Sequence, residues 1–270
     1  MTNDRVFSGA KLGFIGVGNM GSALVRAARK NTPSTAICVA NRSPEKAEAL
    51  ANEIFCRVKS NAEVAAWADY VFLGVKPQMM GALLEELAPV WRERESRFVL
   101  VSMAAGLSAA DIQAMAGGNY PVLRIMPNTP CSVGEGMVLY TPGPGVTEEE
   151  ERIFREAMAG AGRFSRIPEG LMDAGSAVAG CGPAFVDLFV EALADGGLPR
   201  AQALEFAAQM VLGSARLLLE SGRHPGALKD AVCSPGGTTI QGVRKLEEAG
   251  FRGAVMNAVI AAFEKSGTLK

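Results

Sequence analysis

The chain predicts an open, doubly wound α/β sheet followed by an all-helical domain, and three observations carry that expectation. Short apolar runs alternate with helical stretches over residues 1–166, the rhythm of a parallel sheet with crossover helices. Between the first such run and the first helix stands Gly16-Val17-Gly18-Asn19-Met20-Gly21, a GxGxxG turn in strand-to-helix context, which makes the sheet Rossmann-type. From Ile167 the strand signals stop and the pattern is helical, dividing the chain into 1–166 and 167–270. A length of 270 residues accommodates two domains of this size.

The first strand runs from Lys11 to Ile15. Gly16 permits the tight turn, Gly18 lets a pyrophosphate approach the backbone, and Gly21 lets the next helix, Ser22 to Lys30, pack closely. A structural tight turn would use the same glycines, but the strand before and the helix after favour a dinucleotide. The second strand, Ile37 to Ala40, ends in Asn41-Arg42-Ser43-Pro44, without the Asp or Glu that usually holds the ribose hydroxyls of NAD. Arg42 offers a charged fork, and Asn41 and Ser43 offer neutral hydrogen-bonding groups, a set suited to the extra phosphate of NADP. NADPH is therefore the expected cofactor and NADH the weaker one. Ser43-Pro44-Glu45 also reads as a helix start, a role compatible with a free Arg42.

Further strands are expected at Tyr70 to Val75, Phe98 to Ser102, Val122 to Ile125 and Gly136 to Tyr140. Ligands of such sheets bind beyond the carboxyl ends of the strands. At those ends stand Val75-Lys76-Pro77, Met103-Ala104-Ala105-Gly106 and Met126-Pro127-Asn128-Thr129-Pro130.

In the second domain Pro183 opens a helix, Ala184 to Ala194, with apolar residues on nearly every side. Another, Ala201 to Leu219, carries Leu204, Ala208, Val211, Leu212, Ala215, Leu218 and Leu219 on one stripe. About a hundred residues offer little interior of their own, so a second copy is expected to complete the core, as a homodimer at least. Ser234-Pro235-Gly236-Gly237-Thr238-Thr239 then opens a helix marked by Ile240, Val243 and Leu246. Such a loop can cradle a small carboxylate on unpaired helix N–H groups. Thr238 with Gln241 would alternatively form a capping box and nothing more.

A formal charge of −1 excludes the basic excess of a nucleic-acid binder. Five cysteines, odd in number and never spaced as CxxC, indicate neither a disulfide framework nor a zinc site, and fit a reduced cytoplasm. Met1 to Arg5 lacks an apolar signal core, and no uncharged run reaches the ~18 residues of a membrane span. The single histidine, His224, precedes Pro225-Gly226, where a turn role is expected.

The loop at 234–239, with the motifs before it, resembles the pyrroline-5-carboxylate reductases, and the resemblance extends along most of the chain. It implies reduction of L-1-pyrroline-5-carboxylate to L-proline by hydride transfer from NAD(P)H. It places the Thr239 hydroxyl near the ring nitrogen as the catalytic group and Ser234, Gly237 and Thr238 on the carboxylate. Glu169 is a further candidate near the ring. Lys76, Ala104, Ala105 and the Pro127 to Pro130 loop, with Gly106 and Asn128, border the nicotinamide half. The resemblance also implies a helical domain like the C-terminal part of 6-phosphogluconate dehydrogenase and an intertwined dimer, often built into a ring of dimers, the homodecamer. The anion loop of one subunit would then meet the cofactor domain of the other.

Four features depart from the family pattern. Cys181 and Phe185 stand where Ser and Tyr are usual, Ala231 replaces an Asn of some relatives, and the connection Asp195 to Arg200 is about one helical turn short. Competing readings are a reductase of another cyclic imine, a hydroxyacid dehydrogenase of the 3-hydroxyisobutyrate type, and a non-catalytic NADP-binding regulator. Lys229, Lys245, Lys265 and Lys270 lack the glycine-rich motif and Asn partner of the dehydrogenases, and the intact Thr239 loop argues against the regulator.

Overall fold

The computed structural model describes residues 9–193 and 197–268. The shortened connection at Asp195 to Arg200 therefore lies partly outside the described residues. Eight strands form one sheet: β1 (Leu12–Ile15), β2 (Ile37–Ala40), β3 (Arg57–Val58), β4 (Tyr70–Leu73), β5 (Val99–Ser102), β6 (Val122–Met126), β7 (Gly136–Pro142) and β8 (Gly162–Arg166). Their spatial order is β3-β2-β1-β4-β5-β6-β7-β8. The first six are parallel, β7 runs antiparallel to β6, and β8 is parallel to β7. Strand order reverses between β1 and β4, which is where doubly wound sheets open a ligand crevice.

β1, β2, β4 and β5 are buried along their whole length because helices cover both faces. One core contains Phe14 stacked on Phe72 at 4.2 Å, with Phe154 beside them. The other packs Met80, Leu84, Leu87 and Trp91 of α4 (Pro77–Glu93) against Val71, Leu73 and Leu100. The remaining helices of this region are α1 (Asn19–Arg29), α2 (Pro44–Ile54), α3 (Asn61–Trp67), α5 (Ala109–Ala116), α6 (Glu148–Ala157) and the single turn α7 (Met172–Gly175), followed by a π-turn over Ser176–Gly180. Capping boxes at Ser60/Glu63, Ser108/Asp111 and Thr147/Glu150 set the starts of α3, α5 and α6.

Two strands carry no alternating apolar signal. β3 has two residues, both exposed, and β8, Gly-Arg-Phe-Ser-Arg, has no fully buried residue. Both are edge strands; β3 is held by backbone pairing, and β8 adds Phe164, which packs edge-on against Tyr140 and Phe154. Helix α1 begins at Asn19 rather than Ser22, so its first turn lies inside the glycine motif.

Contacts divide the chain between Gly180 and Cys181, later than the expected division after 166, with Phe263 onward grouped with the sheet unit. Glu169 and Asp173 bond to Ala109 and Arg124 of the sheet region, which keeps the segment after β8 with it. The second unit, Cys181–Ala262, is helical: α8 (Gly182–Leu193), α9 (Arg200–Ser221), α10 (Pro225–Val232), α11 (Thr238–Glu248) and most of α12 (Phe251–Gly267). No residue of α8, α10 or α11 is buried, and Leu188, Phe206 and Met256 are 68%, 56% and 59% exposed. The helical stretch Glu169–Leu193 is long and apolar enough to cross a bilayer by length and composition, although it carries Asp173, Asp187 and Glu191.

Candidate active site

The sequence-predicted residues fall into two sets, one on each unit. In the sheet unit an open cleft of about 850 Å³ lies at the carboxyl ends of β1, β2 and β4. It brings together Gly16, Gly18, Asn41, Arg42, Ser43, Val75 and Lys76. Gly16 has φ +94°, and its N–H donates to Ala40 O at 2.8 Å. A Cβ on Gly21 or on Gly74 would overlap the Gly16 carbonyl oxygen, so those two glycines are demanded by the protein itself. Gly18 is different: its φ is −68° and a Cβ there would meet nothing within 4 Å. The space over Gly18 is free for a ligand, and Gly18 is also the N-cap of α1, with no side-chain cap on the helix N–H groups. Asn19, Met20 and Gly21 form the first turn of that helix. This arrangement fits a dinucleotide pyrophosphate.

At the end of β2 the three expected ribose contacts separate into two roles. Asn41 Oδ1 accepts the Val17 N–H at 3.1 Å and its Nδ2 donates to Ser43 O at 3.1 Å. Its amide therefore braces the glycine loop, while Asn41 still lines the cleft. Arg42 is exposed at the cleft, and Ser43 makes no side-chain cap to α2. Lys46, one turn further along α2, lines the same cleft and went unnoticed in the sequence, although its i+4 spacing from Arg42 was legible. Asn61, Gln78, Met79, Ala82, Leu83 and Glu86 close the far wall.

Lys76 is the N-cap of α4 and Pro77 its first residue. Ala104, Ala105 and Gly106 follow β5, with Gly106 at φ +78°. Pro127 and Asn128 follow β6. Asn128 is 8% exposed, donates Nδ2 to Ala179 O at 3.0 Å and accepts the Met137 N–H at 2.9 Å. Its side chain thus ties the loop after β6 to Ala179 and Met137. Glu169 Oε1 accepts the Ala109 N–H at 2.8 Å and lies 3.5 Å from Arg124.

In the helical unit Gly237 N–H donates to Ser234 O at 3.0 Å across Pro235 and Gly236, whose φ is +71°. Proline first and a left-handed glycine second mark a type II turn. Ser234 Oγ tucks against Gly237, where a Cβ would overlap it. Gly237 is the N-cap of α11 and supplies no side-chain cap, so the alternative of a Thr238/Gln241 capping box does not form. Thr238 and Thr239 are the first two residues of the helix, both exposed. Their N–H groups precede the first intrahelical bond, Gln241 N–H to Gly237 O, an arrangement that fits an anion. His224 accepts the Gly226 N–H at 3.1 Å and caps α10, and Lys229 pairs with Asp230 at 2.7 Å. The His224 cap matches the turn role expected of it. No group of three or more His, Cys, Asp or Glu is placed to hold a metal among the described residues.

A glycine-rich cleft at a switch point, joined in one chain to a helical unit with an anion-binding turn, defines a two-domain nicotinamide-dinucleotide oxidoreductase. Two family models match: residues 11–106 match one described as NADP oxidoreductase, coenzyme F420-dependent, and residues 169–269 match pyrroline-5-carboxylate reductase dimerisation. The chain is 42% identical to the pyrroline-5-carboxylate reductase of Escherichia coli, over 96% of this chain and 98% of that one. It is 39% identical to the Pisum sativum enzyme over 96% and 95%. Among solved structures, Plasmodium falciparum pyrroline carboxylate reductase with NADP bound superposes with a TM-score of 0.87 at 33% identity, covering 97% and 98%. The chain belongs to the pyrroline-5-carboxylate reductases.

Proposed function

We propose that NADPH is the preferred donor, and NADH the weaker, in the reduction of L-1-pyrroline-5-carboxylate to L-proline that this NAD(P)H-dependent reductase catalyses. The end of β2 carries the preference: no carboxylate stands there, while Arg42 and Lys46 line the cleft beside the uncommitted Ser43 hydroxyl. When bound, the dihydronicotinamide supplies a hydride. The sheet order supports an adenosine half over β2 and a nicotinamide half towards β4, β5 and β6, where Lys76, Ala104 to Gly106 and the Pro127 to Asn128 loop stand.

The imine carboxylate is held by the Ser234 hydroxyl and the N–H groups of Gly237 and Thr238 at the start of α11. Thr239 presents its hydroxyl to the ring nitrogen and so fixes the imine plane against the nicotinamide. A protonated imine is already electrophilic at carbon, so positioning does most of the work and no further acid or base is needed. Two chains share the site: the open apolar faces of α8 and α9 are covered by a second copy, and dimers assemble into a ring. The apolar stretch Glu169–Leu193 serves this packing and not a membrane, and the enzyme works in the cytoplasm without nucleic acid.

The test follows NADPH absorbance with pyrroline-5-carboxylate, with NADH and a six-membered imine carboxylate in parallel. Faster oxidation of NADPH than NADH with the five-membered imine is expected. Equal rates with both cofactors would overturn the preference, and faster turnover of the six-membered imine would replace the substrate.

A further inference from the structure

Glu169 follows β8 by three residues, and its carboxylate is committed within the sheet unit. Oε1 accepts the Ala109 N–H at 2.8 Å and lies 3.5 Å from Arg124 Nη1. Arg124 is 5% exposed and directs its other terminal nitrogen to Asp173 at 3.3 Å, so the carboxylate rests on a buried cation. Ala109 is the first residue of α5. The Ser108/Asp111 box satisfies the N–H groups of Ser108 and Asp111, and Glu169 satisfies that of Ala109 from outside the helix. The loop Ala104–Gly106 hangs between β5, fixed by its ladder, and this helix start.

We infer that Glu169 is a positioning residue for hydride transfer: backed by Arg124, it ties down Ala109 and thereby holds the Ala104–Gly106 loop at its height beneath the nicotinamide. This rests on the reading that the loop borders the nicotinamide. In this role Glu169 acts through the loop and not on the substrate. What the role requires is an acceptor atom at that reach, not a negative charge.

A crossed pair of variants separates reach from charge. Glu169→Gln keeps the acceptor and loses the charge, whereas Glu169→Asp keeps the charge on Arg124 and draws the acceptor back by one methylene. Steady-state kcat, KM for the imine and the pH profile are measured on the full chain, with the fluorescence of bound NADPH recorded without imine. Glu169→Gln should stay within about twofold of wild type in kcat, with an unchanged pH profile. Glu169→Asp should lose about tenfold in kcat with KM within about twofold, because displaced reacting groups lose rate and not binding. Its bound-NADPH fluorescence should change while that of Glu169→Gln does not. The reverse order, with Gln the worse variant or an ionisation missing from its pH profile, would put the carboxylate in the chemistry and overturn the inference. Two variants that both match wild type in rate and fluorescence would also overturn it. A wild type that binds NADPH without oxidising it would refute the proposed reaction alone, and the fluorescence order would still decide the role of Glu169.

Discussion

Two glycines three residues apart are required for different reasons, and substituting each by alanine separates those reasons. A Cβ on Gly21 overlaps the carbonyl oxygen of Gly16, which is backbone and cannot swing aside. That oxygen belongs to a loop pinned by Gly16 N–H to Ala40 O at 2.8 Å, Gly74 N–H to Ile15 O at 2.7 Å and the Asn41 amide on Val17. Relief requires the loop to shift by roughly 1 Å, and overpacking of this kind costs about 1–3 kcal/mol. For a chain of this size that lowers Tm by roughly 2–12 °C. Gly18→Ala meets nothing within 4 Å at a φ of −68° that alanine adopts freely. Losing glycine at an N-cap costs about as much as the stiffer unfolded chain returns, so Tm should move by about 1 °C or less. The methyl would instead stand where the pyrophosphate approaches, and NADPH affinity should fall about tenfold or more. Melting curves and NADPH titrations on the two variants test this. Unchanged NADPH affinity in Gly18→Ala, or an unchanged Tm in Gly21→Ala, would refute the corresponding half of the reasoning.

Arg42→Ala should raise the Kd of NADPH about 10- to 100-fold, the loss of one charge-assisted contact, and that of NADH by less than about threefold. Lys46→Ala should follow the same selectivity at roughly a third of the free energy, checked by titrating both cofactors. Thr239→Val should lower kcat about 10- to 100-fold with NADPH binding unchanged, and retained turnover would remove Thr239 from the mechanism. Phe55, at φ +61° and 80% exposed, ends α2 in a left-handed conformation that suits Asn, so Phe55→Asn should raise Tm by roughly 1–4 °C. Burial pushes the Tyr140 hydroxyl up to about 12, with a further contribution from its 2.7 Å bond to Glu151. The folded state favours the neutral phenol, so this stability is complete below the unfolded pKa of about 10 and is lost as pH rises through 12. Urea midpoints should fall over that window, less steeply in Tyr140→Phe.

What the sequence made legible is what short-range sterics decide. The glycine motif, the type II turn at 234–237 and the apolar strands each need their residue types within a few positions, so pattern alone located them. The helical unit was legible in a second way, because helices too apolar for their own volume announced the exposed faces that the structure shows. Side-chain partners were not legible where a polar group had a choice of partners far away in sequence. Asn41 reaches back to Val17, Asn128 reaches forward to Ala179, and Glu169 finds Ala109 across the sheet. Asn41 was expected at the ribose phosphate from its place after β2, and Asn128 and Glu169 near the ligands from the family resemblance. In all three the fold uses the group to fix a neighbouring backbone segment, so a ligand would meet a surface set before it arrives. For a reaction that depends on holding an imine and a nicotinamide in register, such bracing serves better than additional contacts, since each braced segment removes freedom before the ligands arrive.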